Sequence, residues 1–160
     1  MLAASVKVDV IASMPEKTTP SDAATEAWIG IMRAQQKLLL AIEADLKQAG
    51  MPPLGWYDVL WELVRAPDSR LRPFEIEERT LLAQYNLSRL IDRLEREGLV
   101  GRQTFAEDGR GRWVVVTDAG RALREWMWVV YSKAIERHVG SKLDDASAKA
   151  LAGLLKNLSA

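Results

Sequence analysis

Apolar positions along the chain change their period several times, and each change marks an element. Between Ala23 and Gly50, the residues Trp28, Ile31, Met32, Leu38, Leu39, Ile42 and Leu46 recur at spacings of three, four and seven, which is one face of a helix. Ser21 or Asp22 can cap its start, and Gly50 stops it. After "MPPLG", the segment "WYDVLWELVRA" sets Trp56, Val59, Leu60 and Leu63 on one side of a second helix that Pro67-Asp68 ends. Two helices with a short connection come next. "RPFEIEERTLL" carries Pro73 near a helix start, where its missing N–H costs nothing. "AQYNLSRLIDRLEREGLV" turns Leu87, Leu90, Ile91 and Leu94 inward and stops at Gly98, with its start expected near Ala83.

After Gly98 the period drops to two. "LVGRQTF" and "RWVVVT" read as short strands joined by "AEDGRG", a hairpin. Thr117-Asp118 then opens a long helix to about Gly140, with Ala122, Leu123, Trp126, Val129, Val130 and Ile135 as its apolar side. Asp144 or Asp145 opens a last helix, on which Leu151, Leu154, Leu155 and Leu158 share one stripe. Four helices, a hairpin and two helices make a mainly α chain with a small β-hairpin wing, an α+β fold class. The middle, residues 53–116, follows the winged helix-turn-helix plan. The outer helices, 23–50 and 117–160, are apolar over more surface than a monomer of this size covers, which predicts a helical dimerisation layer in a homodimer. Residues 1–22, with Pro15, Pro20 and a Lys/Thr/Ser-rich stretch between them, are expected to be a mobile tail before a single domain over 23–160.

Composition narrows the chemistry. The 160 residues include 48% apolar and 28% charged positions, ordinary for a globular protein, and no cysteine. Disulfides, thiolate metal sites and cysteine nucleophiles are excluded together. No apolar run is long enough to cross a membrane, and "MLAASVKVDVIASMPEK" lacks the pattern of a secretory signal, so a cytoplasmic location is expected. His138 is the one histidine, so a metal site is not expected, and no cofactor motif is present. Glu75, Glu77 and Glu78 fit a solvated face better than acid–base catalysis. With no nucleophile–base spacing either, the chain does not read as an enzyme.

The net formal charge is zero and the isoelectric point is about 6.6. That argues against a uniformly basic nucleic-acid coat but allows a local basic face, since phosphates are felt only over roughly 8–10 Å. Such a face is suggested by the helix after Ala83. Its outer side offers Gln84, Tyr85, Asn86, Ser88, Arg89, Asp92, Arg93 and Arg96. Tyr85, Ser88, Arg89 and Asp92 share a stripe with Gln84 beside it and Asn86 to one flank. Short polar groups at a helix start can enter a major groove about 12 Å wide, where Gln and Asn suit adenine and Arg suits guanine. The hairpin adds Arg110 and Arg112, spaced by Gly109 and Gly111, on a tip suited to a narrow minor groove. Asp108 can hold Arg110 by a charge-assisted hydrogen bond. The candidate DNA-binding residues are therefore Gln84, Tyr85, Asn86, Ser88, Arg89 and Arg93 on the helix, with Asp108, Arg110 and Arg112 on the wing. From Gln84 to Arg112 there are six arginines against five acids, so the acids would have to be turned away for a basic face to exist.

These residues carry a resemblance. "LLAQYNLSRLIDRLEREGLVGRQTFAEDGRGRWVVVTDAGRAL" resembles the MarR family of winged-helix transcription regulators. Leu90-Ile91-Asp92-Arg93-Leu94-Glu95 and Glu97-Gly98-Leu99-Val100 are similar to the end of that family's recognition helix. Asp108-x-Arg110-Gly111 is similar to its wing motif, and Thr117-Asp118-Ala119-Gly120 to the opening of its dimerisation helix. The resemblance covers about residues 25–158. It implies a homodimer on a pseudo-palindromic double-stranded DNA operator, usually a repressor, often relieved by a small aromatic or phenolic ligand. Trp28, Met32, Tyr57 and Trp61, from the first two helices, are the candidates for such an effector pocket. At Leu81-Leu82-Ala83 the chain departs from the family's Gly-containing turn and Ser or Thr cap, and Ala83 is a poor cap. The absent cysteines argue against the family's peroxide-sensing branch. The alternative reading is a winged-helix protein-interaction module without DNA binding, which the neutral isoelectric point and the missing cap would favour.

Overall fold

The computed structural model describes residues 18–81, 86–105 and 111–160. The expected N-terminal tail lies outside the described residues up to position 17. Helix α1 spans Asp22–Gln48, and Ser21 caps it, its Oγ accepting the Ala24 N–H at 3.1 Å. The chain divides into two compact units, 1–36 and 37–160, with the boundary inside α1. In the first unit the described part is the N-terminal portion of α1, where Trp28, Ile29 and Met32 are exposed.

The second unit holds the remaining elements. Helix α2 is Leu54–Arg65, α3 Pro73–Arg79, α4 Leu87–Arg96, α5 Asp118–His138 and α6 Asp145–Leu158. Strands β1 (Arg70–Leu71), β2 (Val100–Gln103) and β3 (Trp113–Val116) form an antiparallel sheet in the order β1-β3-β2. The expected hairpin is β2–β3, with Val100 opposite Val116 and Gln103 opposite Trp113. The third strand was not legible in the sequence. Arg70 and Leu71 pair with Val115 and Val114, and two residues are too few for an alternation to register.

Two apolar clusters hold this unit. One joins α2, α3, α4 and the sheet through Leu60, Leu63, Leu71, Ile76, Ile91, Leu94 and Val114. The other joins the C-terminal part of α1 with α2 and α5 through Ile42, Leu46, Tyr57, Met127 and Ala134. The half-buried Leu123 and Trp56 pack against both. Several polar contacts fix the joints. Glu43 accepts the Leu54 N–H at 3.0 Å, satisfying a free donor at the start of α2, where Pro53 has no capping side chain. Buried Asp58 accepts the Leu81 N–H at 2.7 Å and ties the chain after α3 to α2. Asp45 accepts from Arg137 at 3.1 Å and lies 2.9 Å from His138 Nε2, so the lone histidine makes a hydrogen bond at a helix end.

The passage from wing to α5 follows the sequence closely. Thr117 caps α5 by accepting the Gly120 N–H at 3.1 Å while donating to the Gly98 carbonyl at 2.7 Å. Gly120 is required there, because a Cβ would collide with the Leu99 carbonyl oxygen and with Val116. At the other end of the chain Asp144 caps α6, accepting the Ser147 N–H at 2.7 Å.

Two expected boundaries move. The helix expected over "RPFEIEERTLL" ends at Arg79, and Thr80 is already extended. The helix expected to begin near Ala83 begins at Leu87, and Asn86 is its N-cap, with the side-chain oxygen accepting the Arg89 N–H at 3.2 Å. Asparagine outranks alanine as a cap because its oxygen satisfies a backbone donor that would otherwise be free.

Candidate nucleic-acid interface

Helix α4 has one buried and one open side. Leu90, Ile91 and Leu94 are buried and Leu87 half-buried, while Ser88, Arg89, Asp92, Arg93 and Arg96 are exposed. The cap at Asn86 leaves Ser88 and Arg89 on the first turn, the end at which backbone N–H groups and the helix dipole favour anions. Gln84 and Tyr85 lie outside the described residues.

The acids of this helix are not turned away but are held. Arg102, from the neighbouring strand β2, reaches Asp92 Oδ1 at 2.7 Å and also contacts Glu95. Desolvation pulls the Arg102 pKa down, but its hydrogen bonds to Asp92 and Glu95 outweigh this and hold it above the ordinary value. Arg93 Nε meets Glu97 at 3.0 Å, one turn later. Pairs this exposed contribute only about 0–1 kcal/mol to stability, so their consequence is electrostatic. They neutralise three carboxylates and leave Arg89 and Arg96 without an acidic partner among the described residues. Sequence reasoning counted Arg102 but gave it no role. The usable signal was an arginine on the first strand after a helix rich in acids.

On the wing, Arg112 is exposed immediately before β3. Gly111 has φ +83°, the left-handed conformation expected of a glycine at a tight turn. Asp108 and Arg110 lie outside the described residues. Arg89, Arg93 and Arg112 thus belong to one winged-helix unit, on the open side of α4 and at the foot of the wing.

The chain is similar to curated and solved proteins over most of its length. It is 31% identical over 137 residues to the HTH-type transcriptional repressor YetL of Bacillus subtilis, which covers 84% of this chain and 81% of that protein. The sequence model of the MarR family matches residues 49–111, from the end of α1 to the wing. The chain belongs to the MarR family. It is accordingly a transcriptional regulator and not an enzyme. Among solved MarR structures, a Streptomyces coelicolor regulator in complex with DNA has a TM-score of 0.77 at 23% identity and covers 91% of both chains. AbsC of the same organism also has a TM-score of 0.77, at 24% identity, over 89% of this chain and 96% of its own. BpsR of Bordetella bronchiseptica, whose DNA binding is regulated by 6-hydroxynicotinic acid, has a TM-score of 0.70 at 20% identity, over 91% of this chain and 98% of its own. These likenesses carry the MarR fold, a mainly helical chain with a small antiparallel sheet.

The expected effector residues fall in different surroundings in this MarR chain. Trp28 and Met32 are 62% and 45% exposed on α1. Tyr57 is buried and Trp61 half-buried in an aromatic group with Trp128 and Tyr131 from α5. Tyr57 stacks on Trp61 at 6.4 Å and on Trp128 at 5.9 Å, and the Arg124 guanidinium lies 5.1 Å from the Trp61 ring. Burial pushes the Tyr57 hydroxyl above its usual pKa, against the opposing pull of Arg124. Arg124 Nε is buried without a hydrogen-bond partner, a cost that a bound acceptor would relieve. Among the described residues there is no cluster of metal-ligating side chains and no helix long and apolar enough to cross a membrane.

Proposed function

We propose that a homodimer of this chain represses transcription by inserting α4 of each subunit into successive major grooves of a pseudo-palindromic operator. The observation that carries this reading is the electrostatic sorting of α4. Its first turn offers Ser88 and Arg89 to solvent, Asn86 marks its start, and Arg102 and Arg93 occupy the neighbouring acids. Gln84 and Tyr85, just before the helix, and Arg93, one turn further on, complete the base- and phosphate-reading set. Arg110 and Arg112 enter the adjacent minor groove or meet phosphate, with Asp108 orienting Arg110. Two such modules related by a two-fold axis would meet grooves about 34–36 Å apart. Support for repression comes from the similarity to YetL, and support for DNA as the partner from the DNA-bound Streptomyces structure.

The apolar stripes of α5 and α6 support the homodimer. Trp126, Val129, Leu151, Leu154 and Leu158 are all exposed in the single chain, and a stripe of this size is normally covered. The effector reading rests on the Tyr57–Trp61 aromatic group and the unpartnered Arg124 Nε, which suit a small aromatic or phenolic anion. BpsR, with its 6-hydroxynicotinic acid, supplies a precedent for that class.

Selection of bound sequences from random duplexes tests the core of the proposal and yields the half-site spacing. On the best duplex, Arg89→Ala and Arg110→Ala should each weaken binding and flatten the salt dependence by about one unit of log–log slope. A slope near zero for the unmodified protein would remove phosphate contact from the mechanism. Failure to enrich any duplex would promote the protein-interaction alternative, which has lost one of its supports because Asn86 supplies the cap thought missing.

A further inference from the structure

Two aromatic rings close the foot of the wing. Phe105 lies just past β2 and Trp113 opens β3, so they bracket the tip on its two legs. Their rings meet edge to face, with centroids 6.5 Å apart and planes at 81°. A guanidinium from the third strand joins them: Arg70 lies 3.8 Å from the Phe105 centroid and 4.7 Å from that of Trp113. Arg72, two residues on, lies 4.7 Å from Trp113 as well. The Arg70 side chain is only 18% exposed, which is low for an arginine on a two-residue strand.

This arrangement has a mechanical consequence. The backbone ladder of the hairpin ends at the Gln103–Trp113 pair. Ladder bonds fix the two legs of the wing up to that pair. Rings on both legs, in contact with one guanidinium that is anchored in the sheet, take over where the ladder stops. Because the two rings stand at 81°, the guanidinium cannot lie flat on both; it makes a cation–π contact with each, and its broad, delocalised cation spans the two centroids better than the compact ammonium of a lysine on its flexible stem. Arg72 ties the same point to the helix-turn-helix, because its N–H is bonded to Glu75 at the start of α3 at 2.8 Å.

We propose that Arg70 is a positioning residue for DNA binding: in cation–π contact with both Phe105 and Trp113, it sets the angle at which the legs of the wing are presented to DNA, without itself touching the duplex. The proposal rests on the wing reading given above. When the two legs are held together less firmly, the fraction of molecules with a seated wing falls, and apparent affinity falls in proportion. Loss of these contacts is expected to lower operator affinity about five- to tenfold.

The test uses the full chain and the best duplex recovered from random selection, with affinity, salt slope and thermal midpoint read for each variant. Arg70→Lys keeps the charge and weakens the double cation–π contact. It should lower affinity about five- to tenfold while leaving the salt slope and the thermal midpoint close to those of the unmodified protein. Phe105→Leu, which keeps bulk and removes one ring, should do the same to a lesser degree. In a double-mutant cycle with Arg110→Ala the two losses should fail to add, because an unseated wing makes Arg110 worth less. Additive losses, unchanged affinity in both Arg70→Lys and Phe105→Leu, or a flatter salt slope in Arg70→Gln beside an unchanged one in Arg70→Lys would overturn the proposal and leave the wing reading intact. No effect of Arg110→Ala alone would overturn the wing reading, and this proposal with it.

Discussion

Helices α4 and α6 carry the same kind of leucine stripe and end in opposite surroundings. In α4, Leu90, Ile91 and Leu94 are buried in the cluster that also holds Leu63, Ile76 and Val114. In α6, Leu151, Leu154, Leu155 and Leu158 are between 39% and 70% exposed, and no residue of the helix is buried. Both helices have good caps, Asn86 and Asp144. The difference therefore lies in what each stripe meets. α4 leads through Gly98 into β2, so the chain folds its own sheet and α2 back over that face. α6 follows α5, which itself leaves Trp126, Trp128 and Val129 open. Periodicity says that a face is apolar. It says nothing of whether the same chain can reach it. Burying one leucine is worth about 1.5–3 kcal/mol, so four left open on one helix are the physical support for the proposed homodimer.

The contrast can be broken most sharply by truncating one leucine from each stripe. Leu94→Ala should destabilise the fold by about 2–5 kcal/mol in urea unfolding, with DNA binding lost alongside, because it empties a site with no exposure. A loss below about 1 kcal/mol would mean that the α4 face is less closely packed than its burial indicates. Next in size is Leu154→Asp, a charge on the open stripe. Sedimentation should show the species shifting from dimer towards monomer, while the helical content of the separated subunit stays the same; an unchanged mass would place the dimer contact elsewhere. Asn86→Ala comes third. Loss of its cap should cost about 1 kcal/mol of stability and loosen the first turn, with Arg89 amide exchange rising.

The smallest effect concerns pH and the cap of α6. The backbone and side-chain hydrogen bonds from Ser147 hold the Asp144 pKa below its ordinary value of 3.8, against a weaker effect of desolvation. A carboxylate with a depressed folded-state pKa favours the folded helix fully above the unfolded value, and that contribution is lost as pH falls through the depressed one. Circular dichroism of unmodified protein and Asp144→Asn should therefore agree near neutrality and diverge only in acid. Divergence that begins above pH 5 would assign the change to another group.

Much of the fold was legible because its signals are local. The stripes of α1, α2 and α5, the Thr117 cap, the stop at Gly98 and the hairpin strands each need only a few neighbouring residues. The candidate site was legible in part. Ser88, Arg89 and Arg93 are on α4, all exposed, and Arg112 is exposed at the foot of the wing, whereas the start of α4 was displaced by four residues, from Ala83 to Leu87. Asn86, a candidate base-reading side chain by its chemistry, also caps α4, its oxygen accepting the Arg89 N–H. A capping residue and a base-reading residue look alike in a sequence, because both are short and polar.

Taken alone, the order of amino acids determined the element types, the caps at Ser21, Thr117 and Asp144, the hairpin and the absence of thiol chemistry, since these follow from backbone preferences and side-chain inventory within a turn or two. Tertiary structure alone decided that Arg70 and Leu71 add a third strand, that Arg102 reaches back to Asp92 and Glu95, that Arg70 meets both Phe105 and Trp113, and that the α6 leucines are left open. Each of these depends on which surfaces the closed chain brings within a few ångströms of one another, and contacts between residues 7 to 45 positions apart leave no period for a sequence to display.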